Sequence, residues 1–110
     1  MATTSYKVLA QAATSATTAT DLLTVGASKQ VVISTLVVCN RGATATTFRI
    51  AIRPDGAALA SSQYIAYDVA IAANDSTNLT LGLTVDASDV VTVYAGNANL
   101  TFSAFGSEIA

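Results

Sequence analysis

The chain has 110 residues, 52% hydrophobic and 11% charged, with five Lys and Arg against seven Asp and Glu, no histidine and one cysteine. That length fits one domain, residues 1–110, with a core of its own, and the weakly acidic balance excludes the basic stripe that nucleic-acid binding needs. A single cysteine excludes an intrachain disulfide, and the missing histidine excludes Ser-His-Asp and Cys-His chemistry.

Met1–Ser5 reads as a loose polar start, and Tyr6–Gln11 as a first strand with Tyr6, Val8 and Ala10 on one face. Ala12–Thr20 (AATSATTAT) is low in complexity. Its threonines are β-branched and lower helix propensity, and no bulky residue repeats at helical spacing. It is expected to be a flexible extended segment, or an arm that orders against a neighbour. Asp21–Val25 is a short strand, and Gly26–Lys29 turns the chain.

Val31–Arg53 predicts one long β-hairpin around which the rest is organised. In its second arm Phe48, Ile50 and Ile52 alternate with Thr47, Arg49, Ala51 and Arg53, the period of a strand with one apolar face. In its first arm Val31, Ile33, Val37 and Cys39 alternate with Val32, Ser34, Leu36 and Val38, so both faces are apolar and the strand belongs mid-sheet. Asn40–Thr44 supplies the turn.

Pro54-Asp55-Gly56 is a second turn signal. Gln63–Ile71 is a strand with Ile65, Tyr67, Val69 and Ile71 on one face. Asn78–Val85 is another, with Leu79, Leu81, Leu83 and Val85 inward. Val90–Ala95 and Leu100–Phe105 flank a hairpin turn at Gly96–Asn99, and Gly106–Ala110 is a short tail. About eight short strands with turn signals at roughly 8–12-residue spacing predict an all-β protein, a single antiparallel sandwich of jelly-roll or immunoglobulin type.

Chemistry is sparse. No cofactor or metal is expected, and no enzymatic activity. Asp86 and Asp89 flank one turn without the alternating ligands and glycine of a calcium loop, so they read as turn-forming residues. Cys39 ends a Val-rich strand and is expected to be small and buried, with a bridge to a neighbouring subunit as the alternative. Arg41, Arg49 and Arg53 lie on or beside the central hairpin, Arg49 and Arg53 on one side by parity. With Thr47 they are the candidate interface residues, either a solvated strand face or a basic strip for an acidic partner. Tyr64, Tyr67 and Tyr94 suggest a sugar-binding surface, but Tyr64 and Tyr67 differ in parity and are expected on opposite faces.

Val38-Cys39-Asn40-Arg41-Gly42 followed by Thr47-Phe48-Arg49-Ile50, then Tyr64-Ile65-Ala66-Tyr67-Asp68, Leu81-Gly82-Leu83, Asp89-Val90-Val91-Thr92-Val93-Tyr94 and Phe102-Ser103-Ala104-Phe105-Gly106 give the chain an overall pattern. That pattern resembles small virion proteins of tailed bacteriophages, from about Tyr6 onward. Many of those proteins have Gly-Asp ahead of the penultimate strand, where this chain has Ser88-Asp89. The resemblance implies a β-sandwich that serves as a head decoration (cement) protein, with a neck, collar, tail or baseplate component as the alternative. It implies other virion proteins as partners, the major capsid protein or neck and tail proteins. The low surface charge adds an expectation of homo-oligomers. A carbohydrate-binding sandwich for host attachment is the reading from another class. No apolar run approaches the ~20 residues that span a bilayer. MATTSYKVLAQ lacks a signal-peptide layout, so synthesis in the host cytoplasm, a place in the virion and no membrane partner are expected.

Overall fold

Alternating apolar and polar residues shape the folded chain, which a computed structural model describes over residues 3–110. The strands are β1 (Thr4–Ala13), β2 (Thr20–Thr24), β3 (Gln30–Asn40), β4 (Thr46–Arg53), β5 (Tyr64–Ile71), β6 (Ser76–Leu79), β7 (Leu83–Val85), β8 (Val90–Ala95) and β9 (Leu100–Ile109). One sheet runs β1-β9-β3-β6, with β7 also on β3; the other runs β2-β8-β4-β5. Every ladder is antiparallel.

The pairs nest. β1 lies beside β9, β2 beside β8, β3 beside β6 and β7, and β4 beside β5. A chain folded in half and rolled into two sheets in this way is a jelly roll, which decides between the two sandwich types expected. Phe48, Ile50, Val91 and Val93 from one sheet meet Ile33, Leu36, Leu100 and Phe102 from the other in a fully buried core. Even Thr3 and Ala110 exchange both backbone hydrogen bonds, at 2.8 and 2.9 Å.

The long hairpin expected over Val31–Arg53 is not one. β3 and β4 lie in different sheets, and Arg41–Ala45 is an arch between them. Asn40, only 1% exposed, turns inward and holds the arch. Its Nδ2 donates to the Thr44 and Ala72 carbonyls (2.9 and 3.2 Å), and its Oδ1 accepts the Gly42 N–H (3.0 Å). Two strands with strong apolar faces bury more by facing each other across a sandwich than by lying side by side. For the same reason Gly96–Asn99 is an arch from β8 to β9 and not a hairpin turn.

Other expectations change locally. β3 does lie mid-sheet, but a bulge at Ser34 shifts its parity, so Val31, Ile33, Leu36 and Val38 are the buried set. Cys39 consequently sits half-buried on the outer face. Asn78–Val85 breaks into β6 and β7, leaving Leu81 exposed beside Gly82, whose φ is +61°. The supposed C-terminal tail is part of β9. Thr4 and Ser5 already belong to β1, whereas Met1 and Ala2 lie outside the described residues. Ala12 and Ala13 end β1 and Thr20 opens β2. The segment between them is tied to β8, because Ala16 bridges Ala95 and the Thr17 N–H donates to the Ala95 carbonyl (2.8 Å).

Asp89 fastens the opposite end of the sandwich. Its carboxylate accepts the Asp55 and Asp86 N–H groups (2.9 and 2.8 Å), and its carbonyl accepts the Val25 N–H (3.0 Å). The aspartates of this turn are therefore loop clamps.

β9 is squeezed between β1 and β3 at Gly106, where a Cβ would run into the Val32 carbonyl oxygen. Gly106→Ala is expected to cost about 3 kcal/mol. Gly82→Ala, in open space on a left-handed backbone, is expected to cost about 1 kcal/mol. Urea unfolding midpoints check the order. Beside Gly106, Glu108 accepts a hydrogen bond from Lys7 (3.0 Å) and faces Lys29 (3.7 Å). The Lys7 hydrogen bond, against partial burial and helped by the Lys29 charge, holds its carboxyl below the usual 4.5. A depressed carboxylate stabilises above its unfolded pKa and loses that contribution as pH falls through the folded one. Glu108→Gln is expected to melt below the parent at neutral pH, with the gap closing in thermal scans as pH falls through and below the usual carboxylate range.

Candidate functional site

The outer face of the β2-β8-β4-β5 sheet gathers three of the chain's four tyrosines and two of the four salt bridges among the described residues. β4 and β8 place Arg49 directly opposite Tyr94. On the other flank the β4–β5 register steps from Phe48↔Val69 to Ile50↔Ala66, so Tyr67 and Asp68 both stand opposite Arg49. This is a β-bulge, and Asp68 takes its left-handed conformation (φ +50°). Two residues consequently reach one guanidinium. Asp68 accepts from Nε at 2.7 Å and from Nη2 at 3.3 Å, while the Tyr67 and Tyr94 rings lie 4.2 and 4.4 Å from the guanidinium carbon. The Asp68 hydrogen bond raises the Arg49 pKa further above its ordinary value, so the charge persists at every working pH.

A second register step lies between Ile50↔Ala66 and Ala51↔Tyr64. It puts Tyr64 on the same side as Tyr67, contrary to the parity expectation; the rings meet edge to face with centroids 4.9 Å apart. Next to them an open groove of about 490 Å³ is lined by Leu59, Ala60, Ser61, Tyr64 and Tyr67. The groove's loop wall is braced by Gln63, which accepts the Ala60 N–H (2.8 Å) and donates to the Ala58 carbonyl (3.1 Å).

Arg53 shares this face with Arg49, as parity predicts. It donates to Asp21 Oδ1 (2.8 Å) and to the Ala57 and Gly56 carbonyls (2.8 and 3.1 Å). Thr92, beneath it and buried, also donates to Asp21 (3.1 Å). Thr47 lies on β4 two residues before Arg49. Arg41 is elsewhere, in the β3–β4 arch, where its Nη2 donates to the Ala98 carbonyl (3.3 Å). The structure thus brings together three of the four sequence-predicted residues, Thr47, Arg49 and Arg53, and leaves Arg41 apart. Both arginines on the face are paired with carboxylates, so the strip is ionic without being basic. Sequence reasoning missed Asp21, Asp68 and Leu59. The available signal was Asp68 itself, an aspartate inside an apolar strand, where aspartate is depleted.

What this face can do chemically is stack, hydrogen-bond and bury apolar surface. Tyr67 is 57% exposed, and Ile65 and Leu59 add further exposed apolar area, whereas Val69 and Ile71, beyond the bulge, turn to the core side with Phe48, contrary to the single face expected for Ile65, Tyr67, Val69 and Ile71. Among the described residues, no group of three or more His, Cys, Asp or Glu side chains converges as a metal site.

No protein-family model matches the chain, and no curated protein matches it in sequence. Among solved structures it is similar to a chain in the structure of infectious bursal disease virus Gx strain, with a TM-score of 0.46 and 11% identity. The overlap covers 99% of this chain and 31% of that one. At that distance the likeness carries no functional weight.

The Arg49 cluster is expected to behave as a unit. In a double-mutant cycle, Arg49→Ala and Asp68→Ala should be non-additive in unfolding free energy. Arg49→Lys should recover little of the loss, because an ammonium neither stacks flat between two rings nor pairs bidentately.

Proposed function

We propose that this protein is a non-enzymatic structural subunit of a virus particle, and specifically a decoration protein that clips onto the head shell of a tailed phage. The observation that carries the reading is the outer face of the β2-β8-β4-β5 sheet. Exposed Tyr67 and Ile65 on β5 stand beside arginines whose charges are already satisfied by Asp68 and Asp21. Such a face docks without leaving an unpaired charge to desolvate. Aromatic and arginine side chains are the commonest anchors of protein interfaces. The pattern resemblance to tailed-phage virion proteins supports the finer assignment. The role is added cohesion across subunit junctions, with Thr47, Arg49 and Arg53 in or beside the contact. A neck, collar or tail component using the same face is the alternative within the virion.

A second reading, glycan binding for host attachment, is favoured by one observation. Tyr64 and Tyr67 share a side and flank the groove at Leu59–Ser61, a concave site with polar and apolar lining. Jelly rolls serve both as viral shell domains and as lectins, so fold alone does not choose.

Gold labelling of intact particles with an antibody to this protein, viewed by electron microscopy, tests the assignment. Gold over the whole head is the expected result; gold only at neck or tail moves the role to a connector, and unlabelled particles overturn the virion reading. In reconstituted particles Ile65→Asp is expected to lower occupancy at least tenfold without shifting Tm. A glycan array that binds the parent but not Tyr67→Ala would establish the second reading instead.

A further inference from the structure

The two outer faces of the sandwich differ in charge. Residues paired across antiparallel strands share a face, so the register assigns each residue of the β1-β9-β3-β6/β7 sheet to the core side or the outer side. The outer side carries Tyr6, Val8, Val32, Val37, Phe105 and Ile109 among Ser, Thr, Gln, Asn, Ala and Cys. No charged residue occupies an outer position on any of these five strands. The only charged residues in the sheet, Lys7 and Glu108, both take core-side register positions and pair with each other. Tyr6 and Val8 are 86% and 51% exposed.

We infer that this uncharged face is where a second copy of the chain docks, around a two-fold axis. A two-fold interface sets a patch against itself, residue i meeting residue j and j meeting i, so a patch of one sign repels its copy and a mixed patch tolerates only the rotation that pairs its charges. A face with no charge escapes that penalty in every relative rotation. It also offers nothing to complement an acidic or basic partner, which selects a copy of itself over a charged protein. Strands of about ten residues, some four strand positions wide at ~4.8 Å spacing and ~3.3 Å rise, span roughly 600 Å² in flat projection. Side-chain relief brings the accessible area close to the ~800 Å² per partner of a standard interface.

The free edges agree. β2 is short and bulged, β5 is bulged at Asp68, and the β6–β7 edge is interrupted at Gly82. β1, the longest edge at ten residues, is bulged at Leu9 as well, so edge-to-edge pairing is discouraged on every side and docking falls to the face. Docking here leaves the Arg49 face open, so it holds whether or not the shell-binding reading does.

Sedimentation equilibrium of the full chain tests it, with Ser103, on β9 between Gln11 and Val37, as the probe. A dimer is expected, its dissociation constant changing less than twofold between low and high salt, because no charges are screened. Ser103→Lys and Ser103→Asp should each raise that constant at least tenfold, with Tm unchanged at concentrations where the parent is monomeric, and an equimolar mixture of the two should restore dimers. A parent chain monomeric at millimolar concentration overturns the proposal. So does a dimer indifferent to both variants, or one lost in high salt and in Arg49→Ala.

Discussion

The crossing of the chain between sheets depends on one buried amide. Asn40 closes the β3–β4 arch with its own side chain and reaches the Ala72 carbonyl at the start of the β5–β6 connection. Its neighbours extend the tie: the Asn40 N–H donates to the Asp75 carbonyl, the Asn74 N–H to Gly42, and the Arg41 N–H to Asn99 in the β8–β9 arch. A buried amide is costly unless every polar atom finds a partner, and here the partners come from two different connections, the β3–β4 arch and the β5–β6 loop. Asp89 repeats the device at the other end. Two polar side chains thus fix which strand crosses where, and the apolar core fills the space between them.

Fold class and most strands were legible because they rest on period-two alternation, which β4 shows plainly and β3 shows in its density of Val, Ile and Leu. Arch and hairpin were not distinguishable, because Asn-Arg-Gly supplies the same positive-φ tolerance to either. Bulges were the other blind spot. Ser34 in β3, Leu9 in β1 and Asp68 in β5 each shift parity by one residue, so face assignments fail beyond them. The candidate site followed the same rule. Arg49 and Arg53 precede any bulge on their own strand and were placed correctly. Tyr64 and Tyr67 straddle one and were not. β9 was cut short because Gly106, Ser107 and Glu108 look like a polar tail, whereas they close a sheet whose neighbour sits too near for any side chain at Gly106.

Low charge density acquires a meaning from its distribution. The few ionic groups are concentrated on one sheet's outer face and at the sandwich ends, where most have a partner of opposite sign or a backbone group. The other outer face consists of Thr, Ser and apolar residues. With charge removed as a device for keeping copies apart, solubility and association both rest on how those two faces are covered.

β9 has a kinetic consequence. It is made after the other eight strands, yet it occupies an inner place, bonded to β1 on one side and β3 on the other. Until it arrives, β1 has no ladder and β3 lacks one neighbour, so the first sheet cannot grow strand by strand during synthesis. Folding of the sandwich must wait for the ninth strand and then close its longest loops at once. Chains dominated by such non-local pairing fold in about milliseconds to seconds. For that interval β1 lacks its ladder and β3 lacks one neighbour, and in a crowded cell these unpaired edges are the ones most exposed to mispairing with a neighbouring chain.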